Sequence, residues 1–293
     1  MLLVSVLIFG SIGVFKRMMG IPSGFTAMCR GLAGSAFICV WIRLRGGRLR
    51  GYFDRRTALL GAASGALIGI NWLFLFEAFD YTSVPVATLF NHTEPVFVFF
   101  LAAIFLGESF TLCKSICTVV AFAGMILLSG VIETGFSDAR ELRGVIYGLI
   151  SGLLYAGVII LNKKLSGVDA YRRTALQLAV AGLTVIPYVL AKGELEMLPS
   201  EPMPYLLLAF VCIVHTGFAY CMHFGGMNGV DAYTVGLITY IDPITALILS
   251  ALILDERLTL IGMAGAVLIL GATLASEIRP RKQIAPPETK PRE

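Results

Sequence analysis

The chain has 293 residues, 57% hydrophobic and 14% charged, with a net charge of +4 and a mean hydropathy of +0.83. Soluble domains carry about 25% charged residues, so this composition excludes a soluble globular protein and describes one that lives in a bilayer. The chain contains no HExxH, no GxxxxGK[ST] and no CxxC pair, which removes the common signatures of a metalloenzyme, an ATP-driven pump and a zinc or redox-thiol site.

A bilayer core about 30 Å thick needs about 20 apolar helical residues per crossing. In hydrocarbon, backbone polar groups must be paired within the segment, so long apolar runs predict helices and not barrel strands. In chain order the runs predict crossings at about 2–19, 22–42, 57–79, 84–106, 113–131, 144–162, 173–191, 203–224, 232–254 and 258–277. The fold class is therefore an all-α polytopic membrane protein with ten transmembrane helices. The first run lacks a positive leading region and is read as a span, not a cleaved signal.

With the N-terminus inside, sixteen of the 23 Lys and Arg face the cytoplasm and six face outward, leaving Arg30 within a span. The positive-inside rule then puts both termini in the cytoplasm and the chain in the cell's inner (cytoplasmic) membrane. This balance accounts for the basic stretch "RLRGGRLRGYFDRR", and no nucleic-acid partner is expected. The expected partners are the lipid bilayer and a small-molecule substrate, with the protein itself a monomer or homodimer. Cys29, Cys39, Cys113, Cys117, Cys212 and Cys221 lie in or beside apolar runs and read as small buried hydrophobes; neither a metal nor a cofactor is expected.

The stretch "EPVFVFFLAAIFLGESFTL" aligns without gaps with "DPITALILSALILDERLTL", at an offset of 148 residues from Pro95 to Pro243. The same offset relates Glu94 to Asp242, Gly34 to Gly182, Gly69 to Gly217, Trp72 to Tyr220 and Phe76 to Phe224. The organisation predicted is a first five-helix repeat at 1–131, an inter-repeat loop at 132–143, a second five-helix repeat at 144–277 and a mobile tail at 278–293. Five is odd, so the second half enters the membrane in the opposite sense. Such 5+5 inverted-topology repeats are typical of secondary transporters, whose substrate site lies near the midplane between the halves.

The acid-proline pairs in spans four and nine, the "GE" and "DE" ahead of the following helix, "FTAMCRGLAG" in span two and the glutamine of "TALQLAVAG" together resemble the drug/metabolite transporter superfamily in its EamA-like branch. The resemblance runs from residue 2 to about 277. It implies a ten-helix inverted repeat that moves small metabolites, commonly outward. Substrate does not follow from fold.

Pro95 and Pro243 are expected to act as hinges, each removing a helical hydrogen bond and freeing the carbonyls of Asn91 and Thr239. Freed carbonyls at membrane depth require protein or a water-filled cavity over them. Asn91 with Glu94, and Thr239 with Asp242, share helix faces at i, i+3 and mark that cavity; the competing role for the two acids is structural pairing with Arg30 or hydroxyls. Asn71, Trp72, Tyr155, His215, Tyr220 and Tyr240 are further candidates for its wall, with Asn162 a weaker one and helix packing the alternative. Intramembrane charge costs roughly 2.5–3.5 kcal/mol on insertion scales, so Glu94, Asp242, Arg30 and Glu77 call for explanation. Histidine exchanges protons near neutral pH. Glu94, Asp242, His92 and His215 are therefore the proton-coupling candidates, although His92 and Glu94 lie about 200° apart on an ideal helix. Gly65/Gly69 and Gly148/Gly152 have the spacing of close helix contacts.

The expectation is a secondary transporter, not an enzyme, that exports a small metabolite such as an amino acid by alternating access, with proton coupling an open element. The alternatives are an uncoupled facilitator or importer, then a channel or membrane scaffold.

Overall fold

The computed structural model describes residues 1–47, 53–82, 84–108, 112–128, 139–165, 167–253 and 259–277, and every regular element among them is a helix. In chain order these are α1 (Leu2–Phe9), α2 (Ile12–Met19), α3 (Ser23–Leu44), α4 (Arg55–Tyr81), α5 (Val84–Asn91), α6 (Glu94–Leu106), α7 (Leu112–Leu128), α8 (Ala139–Lys164) and α9 (Ala170–Ala191). A 3-10 turn (Glu194–Met197), α10 (Pro202–Phe210), a π-helical segment (Val211–Phe218), α11 (Ala219–Gly226), α12 (Ala232–Thr239), α13 (Ile241–Ile253) and α14 (Leu260–Glu277) follow. Among the described residues six stretches are long and apolar enough to cross a membrane: Ser23–Leu44, Arg55–Tyr81, Val86–Leu106, Ala139–Lys164, Ala170–Ala191 and Pro202–Gly226. The protein is thus an α-helical polytopic membrane protein. Large apolar side chains such as Ile104, Val119, Leu206 and Val267 stay exposed, as a lipid-facing surface requires.

Helix starts follow local capping chemistry. Asp54, Asp169 and Asp231 each accept a backbone N–H three residues on, from Thr57, Arg172 and Thr234, and so begin α4, α9 and α12. Thr259 accepts from the Gly262 N–H at 3.0 Å and begins α14. Pro22 offers α3 no side-chain cap; Glu194, brought in by the 3-10 turn, accepts from the N–H groups of Gly24 and Phe25 instead.

Three of the predicted continuous spans are broken. The first divides at Gly10–Ser11, the fourth at His92–Thr93 and the ninth at Tyr240. The expected proline hinges are in fact helix restarts. Pro95 stands in the opening turn of α6 and Pro243 in that of α13, where the missing N–H has no intrahelical partner to lose. The eighth span widens into π-turns, in which the Thr216 hydroxyl donates to the Val211 carbonyl five residues back at 3.2 Å. Such turns leave backbone and side-chain polar groups open to neighbours. α8 begins at Ala139, inside the stretch 132–143 read as a loop; residues 132–138 and the tail at 278–293 lie outside the described residues.

Lipid offers no hydrophobic drive for helices to associate, so close contact and interhelical hydrogen bonds must hold them. α3 lies against α9, α4 against both α8 and α9, α7 against α14, and both α5 and α6 against α8. Gly65 and Gly69 of α4 face the backbone of Gln177 and Ala181, as their spacing predicts. Two further glycines seat the broken helices. A Cβ on Gly152 would stand 2.6 Å from the Asn91 carbonyl, and one on Gly10 would stand 2.6 Å from the Asp242 carbonyl. Glycine backbone therefore packs against the Asn91 and Asp242 carbonyls.

Candidate functional site

The breaks converge on one cavity of about 70 Å³. That is room for a few waters. Its wall takes Asn71, Trp72, Tyr155 and Tyr220 from α4, α8 and α11, Asn91, His92 and Glu94 from the α5–α6 break, and Thr239 and Asp242 from the α12–α13 break. Three positions as close in sequence as Asn91, His92 and Glu94 face one space because the helix stops between them. The roughly 200° separation of His92 and Glu94 applies to an unbroken helix only.

The polar groups are tied to one another. Asn71 donates to the Ser151 carbonyl at 2.8 Å and to its hydroxyl at 2.7 Å, and that hydroxyl donates to the Asn91 amide oxygen at 2.7 Å. Ser151 thereby joins α4, α8 and the end of α5. Thr239 and Glu94 share a short hydrogen bond between their side-chain oxygens, while the Thr239 hydroxyl also lies 2.6 Å from the Gly236 carbonyl. His92 Nε2 approaches Asp242 at 3.7 Å, and its Nδ1 is buried without a partner. Trp72 donates its indole N–H to the Tyr220 hydroxyl at 2.8 Å.

Arg30 completes the wall. Its guanidinium lies 4.3 Å from the Trp72 ring and 5.3 Å from Phe76, and its Nε donates to the Thr216 hydroxyl at 2.9 Å. Its side chain is almost fully buried, at 4% exposure, yet it borders the cavity, and among the described residues its terminal nitrogens meet no acceptor. Arginine stacked on an aromatic face presents its donors in a fixed plane suited to a carboxylate. In the sequence Arg30 stands out as a costly intramembrane charge and a candidate partner of the acids, not as part of the cavity wall. The signal that could have placed it was Thr216, whose availability depends on the π-turns.

Two sequence candidates stand elsewhere. His215 receives or donates a 2.6 Å bond with Ser11 and packs between Phe15 and Phe210. Tyr240 packs in a separate apolar cluster with Leu89 and Tyr233, its hydroxyl buried without a partner. Asn162 belongs to a second polar knot, in which the Gln177 amide donates to Ser64 at 2.8 Å and to Asn162 at 3.2 Å. Glu77 borders a wider second cavity of about 580 Å³, with Lys16, Asp80, Tyr188 and Glu194. Phe76 lines the small cavity beside Arg30, and Lys16, which borders the wide one, lies 6.0 Å from its ring. Glu108, the acid of the "GE" after span four, accepts from the Ala232 N–H at 2.9 Å and so ties the end of α6 to the start of α12. Glu256 lies outside the described residues.

Broken helices thus gather polar side chains around a buried cavity in a polytopic membrane protein. The chain belongs to the EamA-like transporter family, which matches it over residues 1–130 and 142–276. It is similar to the uncharacterized transporter YxxF of Bacillus subtilis (strain 168), at 26% identity over 95% of this chain and 88% of that one. An uncharacterized transporter of Archaeoglobus fulgidus is 26% identical over 72% and 74% of the two chains, and Protein PecM of Dickeya dadantii is 25% identical over 80% and 78%. One solved crystal structure superposes with a TM-score of 0.77 over 93% of both chains at 18% identity, a likeness of fold alone. The protein is therefore a transporter of small molecules and not an enzyme.

Proposed function

We propose that this protein is a secondary transporter that exports a small zwitterionic metabolite, an amino acid or a close relative, by alternating access across the cytoplasmic membrane. The observation that carries the reading is the cavity's opposed charges: Arg30 on the Trp72 side, and Glu94 with Asp242 on the broken-helix side. A substrate carboxylate pairs with the free guanidinium donors, its amine faces the acids, and Trp72 and Tyr220 cover the carbon skeleton.

A ten-helix inverted repeat accounts for the packing. With each broken helix counted once, the described helices fit ten crossings, and elements 148 residues apart touch: α3 with α9, α7 with α14, and Trp72 with Tyr220. The two family matches flank residues 131–141 and fit one match per half. In this state the substrate cavity is too small for an amino acid, so rocking of the halves must enlarge it. Phe76 is the barrier toward the wider cavity.

Proton coupling follows from hydrogen-bond counting at Glu94. The Thr239 hydroxyl has one proton and two acceptors in reach; a protonated Glu94 donates to Thr239, which then donates to Gly236, and every bond is made. Arrival of a substrate amine displaces that proton. An uncoupled facilitator is the second reading, favoured by the 3.7 Å His92–Asp242 contact if that pair alone carries the charge balance.

Proteoliposomes loaded with a mixed amino-acid and metabolite pool, with and without a pH gradient and read by mass spectrometry against protein-free vesicles, test the proposal. Selective loss of zwitterions, faster with the gradient, is expected. Selective loss indifferent to the gradient selects the facilitator, and no selective loss from folded protein overturns the substrate class.

A further inference from the structure

Beside the cavity, α8, α11 and α1 meet through a hydrogen-bonded row that the charge arrangement above does not use. The Ser5 hydroxyl lies 2.6 Å from the Leu2 carbonyl and 3.1 Å from His223 Nδ1, and His223 Nε2 lies 3.1 Å from the Tyr155 hydroxyl. Ser5 and His223 are fully buried, and Tyr155 borders the cavity.

The direction of every bond in this row follows from proton counting. Serine has one hydroxyl proton, and the nearer acceptor, the Leu2 carbonyl, takes it. Toward His223, Ser5 then has only lone pairs, so Nδ1 must carry the imidazole proton. Neutral histidine protonated at Nδ1 is an acceptor at Nε2, and Tyr155 must donate there. With its one proton engaged, the Tyr155 oxygen presents only lone pairs to the cavity. Tyr220 has the opposite polarity, because it accepts from Trp72 and keeps its own proton free.

We infer that Tyr155 is a specificity-determining acceptor for a protonated amine or other hydrogen-bond donor of the substrate, and that His223 and Ser5 are the positioning residues that fix its polarity. The inference rests on the reading of this cavity as the substrate site. The fold does not demand the row: 148 positions away from Ser5, His223 and Tyr155 stand Leu153, Leu75 and Leu7. The groups facing His223 are Ser5 and Phe9 from the first span, Tyr155 from α8, and Phe224 from its own helix. None of these carries a formal charge at neutral pH.

Two measurements on the full chain in nanodiscs test this. Nitrogen-15 NMR of the three histidines, with His223 assigned by its loss in His223→Gln, is expected to report a neutral ring protonated at Nδ1; protonation at Nε2 overturns the inference directly. Binding of phenylalanine, phenethylamine and 3-phenylpropionate, followed by Trp72 fluorescence in a Trp41→Phe background, supplies the second. Tyr155→Phe and His223→Phe are expected to weaken the two amines by about tenfold or more and leave 3-phenylpropionate unchanged, with His223→Gln restoring amine binding because a carboxamide also pairs a donor with an acceptor. Equal weakening of all three ligands, or of none, overturns the role of Tyr155 while leaving the cavity as the site. Absence of binding in the unmodified chain overturns the cavity reading for this ligand class, and the inference with it. Should His223→Phe fail to fold, Tyr155→Phe and the NMR result decide.

Discussion

The Trp72 indole N–H donates to the Tyr220 hydroxyl at 2.8 Å, with the two rings edge to face at 5.5 Å, and the residues are 148 positions apart. The bond therefore joins, beside the cavity, two positions related by the 148-residue offset of the sequence. Tyr220→Phe leaves the buried indole N–H unpaired and is expected to cost about 1–3 kcal/mol of stability. The double variant with Trp72→Phe should lose less than the sum of the two single changes, because one bond can be lost only once. Unfolding of all four proteins in the same detergent checks this; strict additivity would mean that the bond contributes nothing.

Arg30 is expected not to tolerate lysine. An ammonium cannot stack as a plane on Trp72 while donating to Thr216 and to a carboxylate. Arg30→Lys should raise the transport KM for zwitterions about tenfold or more, and Arg30→Gln should abolish uptake into counterflow vesicles. A zwitterion KM unchanged in Arg30→Lys would remove the carboxylate role.

Glu94→Gln keeps the side chain neutral and hydrogen-bonded to Thr239 but unable to release a proton. Exchange of substrate across the membrane is expected to persist, while acceleration by a pH gradient disappears. A preserved gradient response in both Glu94→Gln and His92→Gln would exclude both from coupling. His215→Gln serves as the comparison, since His215 sits apart from the cavity beside Ser11, and its gradient response should survive.

Gly152 allows α8 to press against the break between α5 and α6. A Cβ there would meet the Asn91 carbonyl at 2.6 Å and the Thr93 hydroxyl at 2.9 Å. Gly152→Val should push the two elements apart, lower the unfolding temperature and reduce transport more than the same change at Gly167, which has no neighbour within 4 Å.

The proposed barrier, Phe76, lines the small cavity, and its ring lies 6.0 Å from Lys16 of the wide cavity that also holds Glu77. Phe76→Ala removes about a ring's volume from that barrier and should speed downhill flux while weakening its dependence on the pH gradient. Flux measured in both directions across vesicles with and without the gradient reads the two effects separately.

The chain's apolar run lengths, its basic-residue asymmetry and its 148-residue self-similarity are local or pairwise properties, so membrane residence, helical class and the pairing of Glu94 with Asp242 and of Trp72 with Tyr220 could be read directly from the residues. Proline showed where helices fail. It did not show how: Pro95 and Pro243 proved to be first-turn residues of restarted helices, because a helix broken between Asn91 and Glu94 can cover its free carbonyl only if a partner without a Cβ, here Gly152, lies against it. The same limit applies to the site. Arg30, His223 and Ser5 carry no local mark of a cavity role, and His215 carried a misleading one. Their placement depends on which faces of α1, α3, α8 and the π-turns meet, and those meetings are set by long-range packing and hydrogen bonding that no single segment encodes.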